Sequence, residues 1–337
     1  MHDRLARAAF VLWAIAALGG CAALPPDLDA AATAHLPARV ELAQVPFYPQ
    51  QEYQCGPAAL ATVLTAAGAP TTSEQLVDSV FLPGRRGSLQ VELLAAARMR
   101  ERVPYVLPER LTAILEQIAA GRPVLVMQNL GITIAPLWHF AVVVGYDLDA
   151  GELILRSGTT QRLTMSTRRF VRAWDRAQRW AFVALAPDEA PADPDRDRYL
   201  AAIAAMESIG KLDAAASAYA RASQIWPDSA WPRLGLANIA YARQDLHAAE
   251  QGYRAALALD GGNVVAHNNL AQILLTRGCR SQARRHALRA AELAAGTSLA
   301  PAVAATLREI ESPAGSGVAV PQCEPAASTS TPSAPRA

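Results

Sequence analysis

The chain has 337 residues, 52% of them apolar, and a formal net charge of +1 at pH 7. That length and apolar content suffice for two domains with cores of their own, while a charge so near zero gives no electrostatic basis for binding nucleic acid. Lys211 is the only lysine, so every other fixed cation is arginine.

Arg4 and Arg7 precede an apolar run, residues 8–18, that is too short for a stable membrane span. Leu18-Gly19-Gly20-Cys21 then places small residues before a cysteine, an order that resembles a bacterial lipobox. The resemblance implies cleavage before Cys21, lipidation of that residue and export. Ala22, where retained lipoproteins carry aspartate, implies the periplasmic face of the outer membrane. Residues 1–21 therefore read as a lipoprotein signal and 22–37, "AALPPDLDAAATAHLP", as a flexible tether.

A polar, glutamine-rich run, "QQEYQCGPAAL" at 50–60, stops at one cysteine and a Gly-Pro step before an apolar helical pattern. Pro57 suits a first helical turn, which puts Cys55 at the helix N-terminus. There the helix dipole and free backbone N–H groups favour thiolate, so Cys55 is a candidate nucleophile with a depressed pKa. Such a nucleophile needs a base, and His139 is the single histidine between residues 38 and 185.

His139 opens the apolar run of "PLWHFAVVVGYDLDAGELILRSG", 136–158. Leu148-Asp149-Ala150-Gly151 reads as a turn and Glu152 onward as a returning strand, giving a β-hairpin with His139 at the start of its first strand. A lone cysteine or a lone histidine is ordinarily structural. Together, in an exported domain that holds no other Cys or His, they point to a nucleophile and its base.

"VPFYPQQEYQCGPAALATVL", 45–64, with "WHFAVVVGYD", 138–147, resembles the papain-fold cysteine peptidases of the double-glycine, bacteriocin-leader type, the C39-like family. The resemblance covers roughly residues 40–185. It implies that Cys55 attacks a peptide carbonyl, that His139 is the base, and that a glutamine shortly before the cysteine completes the oxyanion hole. Gln50 takes that role, with Gln51 as the alternative. One such donor is typically worth ~3 kcal/mol in the barrier.

The chain departs from the family at the residue that orients the histidine. Relatives carry an aspartate at the end of the next strand, where this chain reads Arg156-Ser157-Gly158. Asp147 cannot substitute, because eight strand residues at about 3.3 Å each place it about 26 Å from His139. The hairpin register instead brings Ser157 within about two residues of the position opposite His139. A hydroxyl there would fix the tautomer while stabilising an imidazolium less than a carboxylate does.

Residues 186–198, "APDEAPADPDRDR", are dense in Pro, Asp and Ala and read as a linker. Beyond them the pattern repeats. Ala215, Ala249 and Ala283 recur at steps of 34, as do Ala222, Ala256 and Ala290, and Tyr219 and Tyr253 share a further phase. A period of 34 with small residues at fixed phases predicts tetratricopeptide repeats near 195–228, 229–262 and 263–296, with a capping helix over 299–311. The last of these repeats, from Asn263, resembles the tetratricopeptide pattern closely. Residues 312–337 are of low complexity and read as a disordered tail. Cys279 and Cys323 remain as a pair that an oxidising compartment could join.

The expected architecture is an α+β papain-like peptidase domain over 38–185, a linker over 186–198 and an all-α tetratricopeptide solenoid over 199–311. The expected activity is that of an exported, lipid-anchored cysteine peptidase acting on a protein or peptide, with the repeats binding substrate or a partner. The alternative is a non-catalytic lipoprotein that works as a scaffold through its repeats. No metal-ligand spacing and no phosphate-binding loop occurs, so no metal or cofactor is expected.

Overall fold

The computed structural model describes residues 30–51, 53–312 and 323. The expected signal with Cys21, most of the expected tether, and the expected tail apart from Ser312 and Cys323 lie outside the described residues, as does Glu52. The chain forms two compact units. One runs to Ala186 and includes Pro191–Pro194, and the other holds Pro187–Ala190 and everything from Asp195 onward.

In the first unit a short helix α1 (Ala30–Thr33) occupies the end of the expected tether, so that part is not extended chain. Strand β1 (Arg39–Glu41) and helices α2 (Cys55–Ala66), α3 (Glu74–Val80) and α4 (Gln90–Met99) follow. Then come β2 (Val103–Val106), α5 (Leu111–Ala119), β3 (Val124–Asn129), β4 (Trp138–Asp147), β5 (Glu152–Ser157), β6 (Thr160–Ser166), α6 (Thr167–Asp175) and β7 (Ala181–Leu185).

The strands form one seven-stranded antiparallel sheet in the order β2-β7-β3-β4-β5-β6, with β1 paired to the far end of β4. Alternation along the strands divides the core into two faces. Leu125, Met127, Phe140, Val142 and Val144 pack with Leu60, Leu64, Leu76 and Leu93 from α2, α3 and α4. Val124, Val126, Ala141 and Val143 are buried on the other face, where α5 and α6 meet the sheet. Gly145 sits where β4 shifts register and β1 crosses closely. A Cβ there would meet the Val40 carbonyl at 2.6 Å, so only glycine fits.

The second unit is helical throughout its elements. Helices α7 (Arg196–Glu207) and α8 (Leu212–Ile225), α9 (Ala230–Ala242) and α10 (Leu246–Leu259), and α11 (Val264–Thr276) and α12 (Arg280–Ala294) make three pairs, followed by α13 (Ala300–Glu311). These are the three expected repeats and their cap. Both alanine phases fall on the second helix of each pair, and all six alanines are fully buried, as close helix crossings require. Helix starts are fixed by local chemistry. The side chains of Asp195, Asp245 and Asn263 accept from the N–H groups of Arg198, Ala248 and Ala266.

The stretch 186–198 is more ordered than its composition predicts. Arg110 donates to Asp193 at 2.7 Å, Ala192 N–H donates to Gln117, and Tyr199 donates to the Glu189 carbonyl at 2.6 Å. Helix α7 already begins at Arg196, inside the expected linker and three residues before the expected solenoid boundary. Cys279 and Cys323 are joined in a disulfide.

Candidate active site

Helix α2 starts at Cys55 because Pro57, with no N–H to leave unsatisfied, fits its first turn, while Ala58 N–H already reaches the Gln54 carbonyl at 3.3 Å. Residues 56–64 are buried, so the helix is anchored by its apolar body and holds Cys55 at a partly buried N-terminus. Gly56 is required there, since a Cβ would overlap the Ser88 side chain.

His139 is the second residue of β4, opposite Gln128 of β3. The hairpin returns as the sequence predicts, and His139 Nε2 lies 2.8 Å from Ser157 Oγ. Asp147 is at the other end of β4, where its carboxylate accepts from Ala150 N–H at 2.9 Å. Among the described residues no carboxylate reaches His139.

Gln50 is held twice. Its backbone N–H donates to the Gly158 carbonyl at 3.0 Å, in the turn after Ser157, and its side-chain amide donates to the Phe140 carbonyl at 3.1 Å, next to His139. Gln51 is exposed, and its carbonyl accepts from Gln54 N–H. The fixed amide beside the histidine strand is therefore that of Gln50. Gln50, Gln51, Cys55 and His139 all line one cavity of about 690 Å³.

Electrostatics differ from the expectation for a helix N-terminus. Burial pushes the Cys55 thiol up, against the opposing pull of the Phe140, Gly56 and Cys55 backbone N–H groups. Burial also pushes His139 down. Both effects favour the uncharged forms, with burial the larger influence on Cys55 and the backbone N–H groups opposing it.

Three features of the site have no counterpart in the sequence reading. Ser88 lines the cavity beside Gly56 with its hydroxyl unpartnered. Gln128, opposite His139, is buried with neither end of its amide hydrogen-bonded. Arg85 and Arg86 form part of the cavity wall. "PGRRG", 83–87, is recognisable as a turn, but nothing local says which surface it faces.

A cysteine at a helix start, a histidine entering an antiparallel sheet and a glutamine amide held beside the histidine strand define a cysteine-peptidase-like domain, followed here by tetratricopeptide-type helix pairs. Residues 42–181 match the model of the Peptidase_C39 like family, which bears out the family resemblance over that domain. No curated protein matches the chain. Among solved structures, one described as a "putative C39-like peptidase" from Bacillus anthracis is 19% identical, with 44% of this chain and 97% of that chain covered at a TM-score of 0.36. The type III secretion translocator chaperone SycD from Yersinia enterocolitica is 19% identical over 35% of this chain and 87% of that one, TM-score 0.33. The first tetratricopeptide domain of Spaghetti (RPAP3), bound to an HSP90 peptide, is 18% identical over 35% and 93%, TM-score 0.31.

Proposed function

We propose that the protein is an exported, lipid-anchored cysteine peptidase that hydrolyses peptide bonds of a protein or peptide substrate, held at the outer membrane through Cys21. The observation that carries this reading is that Cys55 lines one cavity with His139, whose Nε2 is fixed at 2.8 Å from Ser157 Oγ. With Nε2–H donated to Ser157, Nδ1 carries the lone pair and takes the thiol proton as Sγ attacks the substrate carbonyl carbon. The Cys55 N–H and the second amide N–H of Gln50 hold the oxyanion. The imidazolium gives its proton to the leaving amine as the C–N bond breaks, leaving a thioester. Water then attacks that thioester and passes a proton to His139, which returns it to the departing sulfur. Burial favours the uncharged forms of both groups, which supports proton transfer to His139 in concert with attack. Transfer of the acyl group to an amine in place of water would use the same residues.

The test is labelling of the soluble protein with an epoxysuccinate probe and identification of the modified residue. Labelling at Cys55 that is lost in Cys55→Ala, with peptide turnover reduced at least ~100-fold in His139→Ala, is the expected result. Membrane release or an uncleaved precursor in Cys21→Ser is expected for the anchor.

One observation favours a second reading, a non-catalytic scaffold that binds a protein partner through its repeats: His139 has a hydroxyl where an acid would strengthen it as a base. An unlabelled Cys55, with partner binding that survives Cys55→Ala, would support it.

A further inference from the structure

We propose that the cavity around Cys55 selects a substrate bearing a carboxylate, bound by Arg85 and Arg86, with a large apolar side chain against Leu137 and Trp138. This rests on the peptidase reading and adds its substrate class.

Residues 83–87 form a tight turn. Arg85 N–H donates to the Leu82 carbonyl at 2.9 Å, Arg86 N–H to that of Pro83 at 3.1 Å, and Leu82 N–H to that of Gly87 at 2.8 Å. The turn brings two guanidinium-bearing residues into the wall of the Cys55 cavity. Among the described residues, no Asp or Glu lines that cavity. The chain as a whole carries only +1, so the arginines are not part of a general positive surface charge.

The arrangement is held at a conformational cost. Arg86 has φ 47° and Tyr53, two residues before the nucleophile, has φ 63°. A left-handed backbone is unfavourable for an L-residue other than glycine. The two meet, with the Arg86 guanidinium 5.9 Å from the centre of the Tyr53 ring. The contact ties the arginine turn to the loop that carries Gln50 and Cys55.

The remaining wall is apolar. Leu137 is 61% exposed and Trp138, beside His139, is 52% exposed. A cleft whose wall includes two arginines and exposed apolar side chains complements a peptide that presents both features. The carboxylate can belong to an Asp or Glu side chain or to a free C-terminus, and the same two arginines would receive either.

The experiment has two arms on the full chain. In the first, Cys55 is alkylated with anionic iodoacetate and with neutral iodoacetamide at one pH, and the ratio of the two rates is compared with that of the unfolded protein. The ratio is expected to be raised severalfold in the native protein, to drop at least threefold in Arg85→Gln/Arg86→Gln, and to be kept by Arg85→Lys/Arg86→Lys. An unchanged ratio in the glutamine variant overturns the proposal, whether or not any peptide is cleaved. In the second arm, kcat/KM is measured for peptides that pair Glu with Gln at one position, each with a free or an amidated C-terminus. A preference for Glu, or for the free C-terminus, that vanishes in the glutamine variant supports the proposal and identifies which carboxylate is read. Cleavage without either preference overturns it. No cleavage of any peptide counts against the peptidase reading alone, and the alkylation ratio then decides this one.

Discussion

Ser157 Oγ stands 2.8 Å from His139 Nε2, at the place on the returning strand where the resemblance to C39-like peptidases implies an aspartate. A neutral hydrogen bond of this kind is worth about 1 kcal/mol, and one to a charged partner about 1.5–3 kcal/mol. Ser157→Ala is therefore expected to lower Cys55 reactivity about fivefold, and Ser157→Asp to raise it by stabilising the imidazolium. Asp147→Ala is expected to change neither. The pH profile of Cys55 alkylation in the three variants is the check, and sensitivity to Asp147 with indifference to Ser157 would overturn the assignment.

Burial moves the two central groups in opposite directions, with consequences for stability at each end of the pH range. The folded pKa of Cys55 lies above its unfolded value, so its contribution is complete below the ordinary thiol value of about 8.5 and is lost as pH rises through the folded pKa. The folded pKa of His139 lies below its unfolded value, so its contribution is present above about pH 6.5 and is lost as pH falls through the folded pKa. Cys55→Ala should flatten the alkaline limb of Tm against pH and His139→Gln the acidic limb. Alkylation of the native protein near pH 6 should be slower than that of a free thiol. Rapid alkylation there would restore the resting ion pair.

Gly56 and Ser88 form a steric pair beside the nucleophile. Gly56→Ala drives a Cβ into both heavy atoms of the Ser88 side chain, an overpacking expected to cost about 1–3 kcal/mol and to displace Cys55. Ser88→Gly alone should be mild, and the double variant should recover most of the lost stability and thiol reactivity. A double-mutant cycle by thermal melting, with strictly additive effects, would show that the two do not touch.

The Cys279–Cys323 disulfide spans 44 residues, and closing a loop of that length removes about 4 kcal/mol of unfolded-state entropy in the chain-entropy description. Cys323→Ser, like reduction of the native protein, should lower the melting temperature of the helical unit by several degrees. Peptidase-domain melting should stay where it was, which calorimetry on the full chain resolves as two transitions.

Much of the fold is legible in the sequence because local chemistry dictates it. Pro57 marks the start of α2, Gly151 the turn of the His139 hairpin, and the alanine phases the second helix of each repeat. What escapes a linear reading depends on packing across the chain. The dipole argument for a depressed Cys55 pKa is sound locally and fails because α2 buries the thiol. Ser88 and Arg85 carry no pattern of their own, and only the folded turn brings them to the cavity. The order within 186–198 likewise comes from partners such as Arg110 and Gln117, far away in sequence.

Gln50 is tied by its backbone to the carbonyl of Gly158 and by its side chain to that of Phe140. A single residue thus couples the loop before the nucleophile, the strand that bears the base and the turn that bears its hydroxyl partner. Lengthening or shortening the β5–β6 turn would move Ser157 and Gln50 together. Natural variation in this hairpin should therefore be inherited as a block with the loop at 50, so that grafting one from a relative without the other would misplace both Gln50 and Ser157.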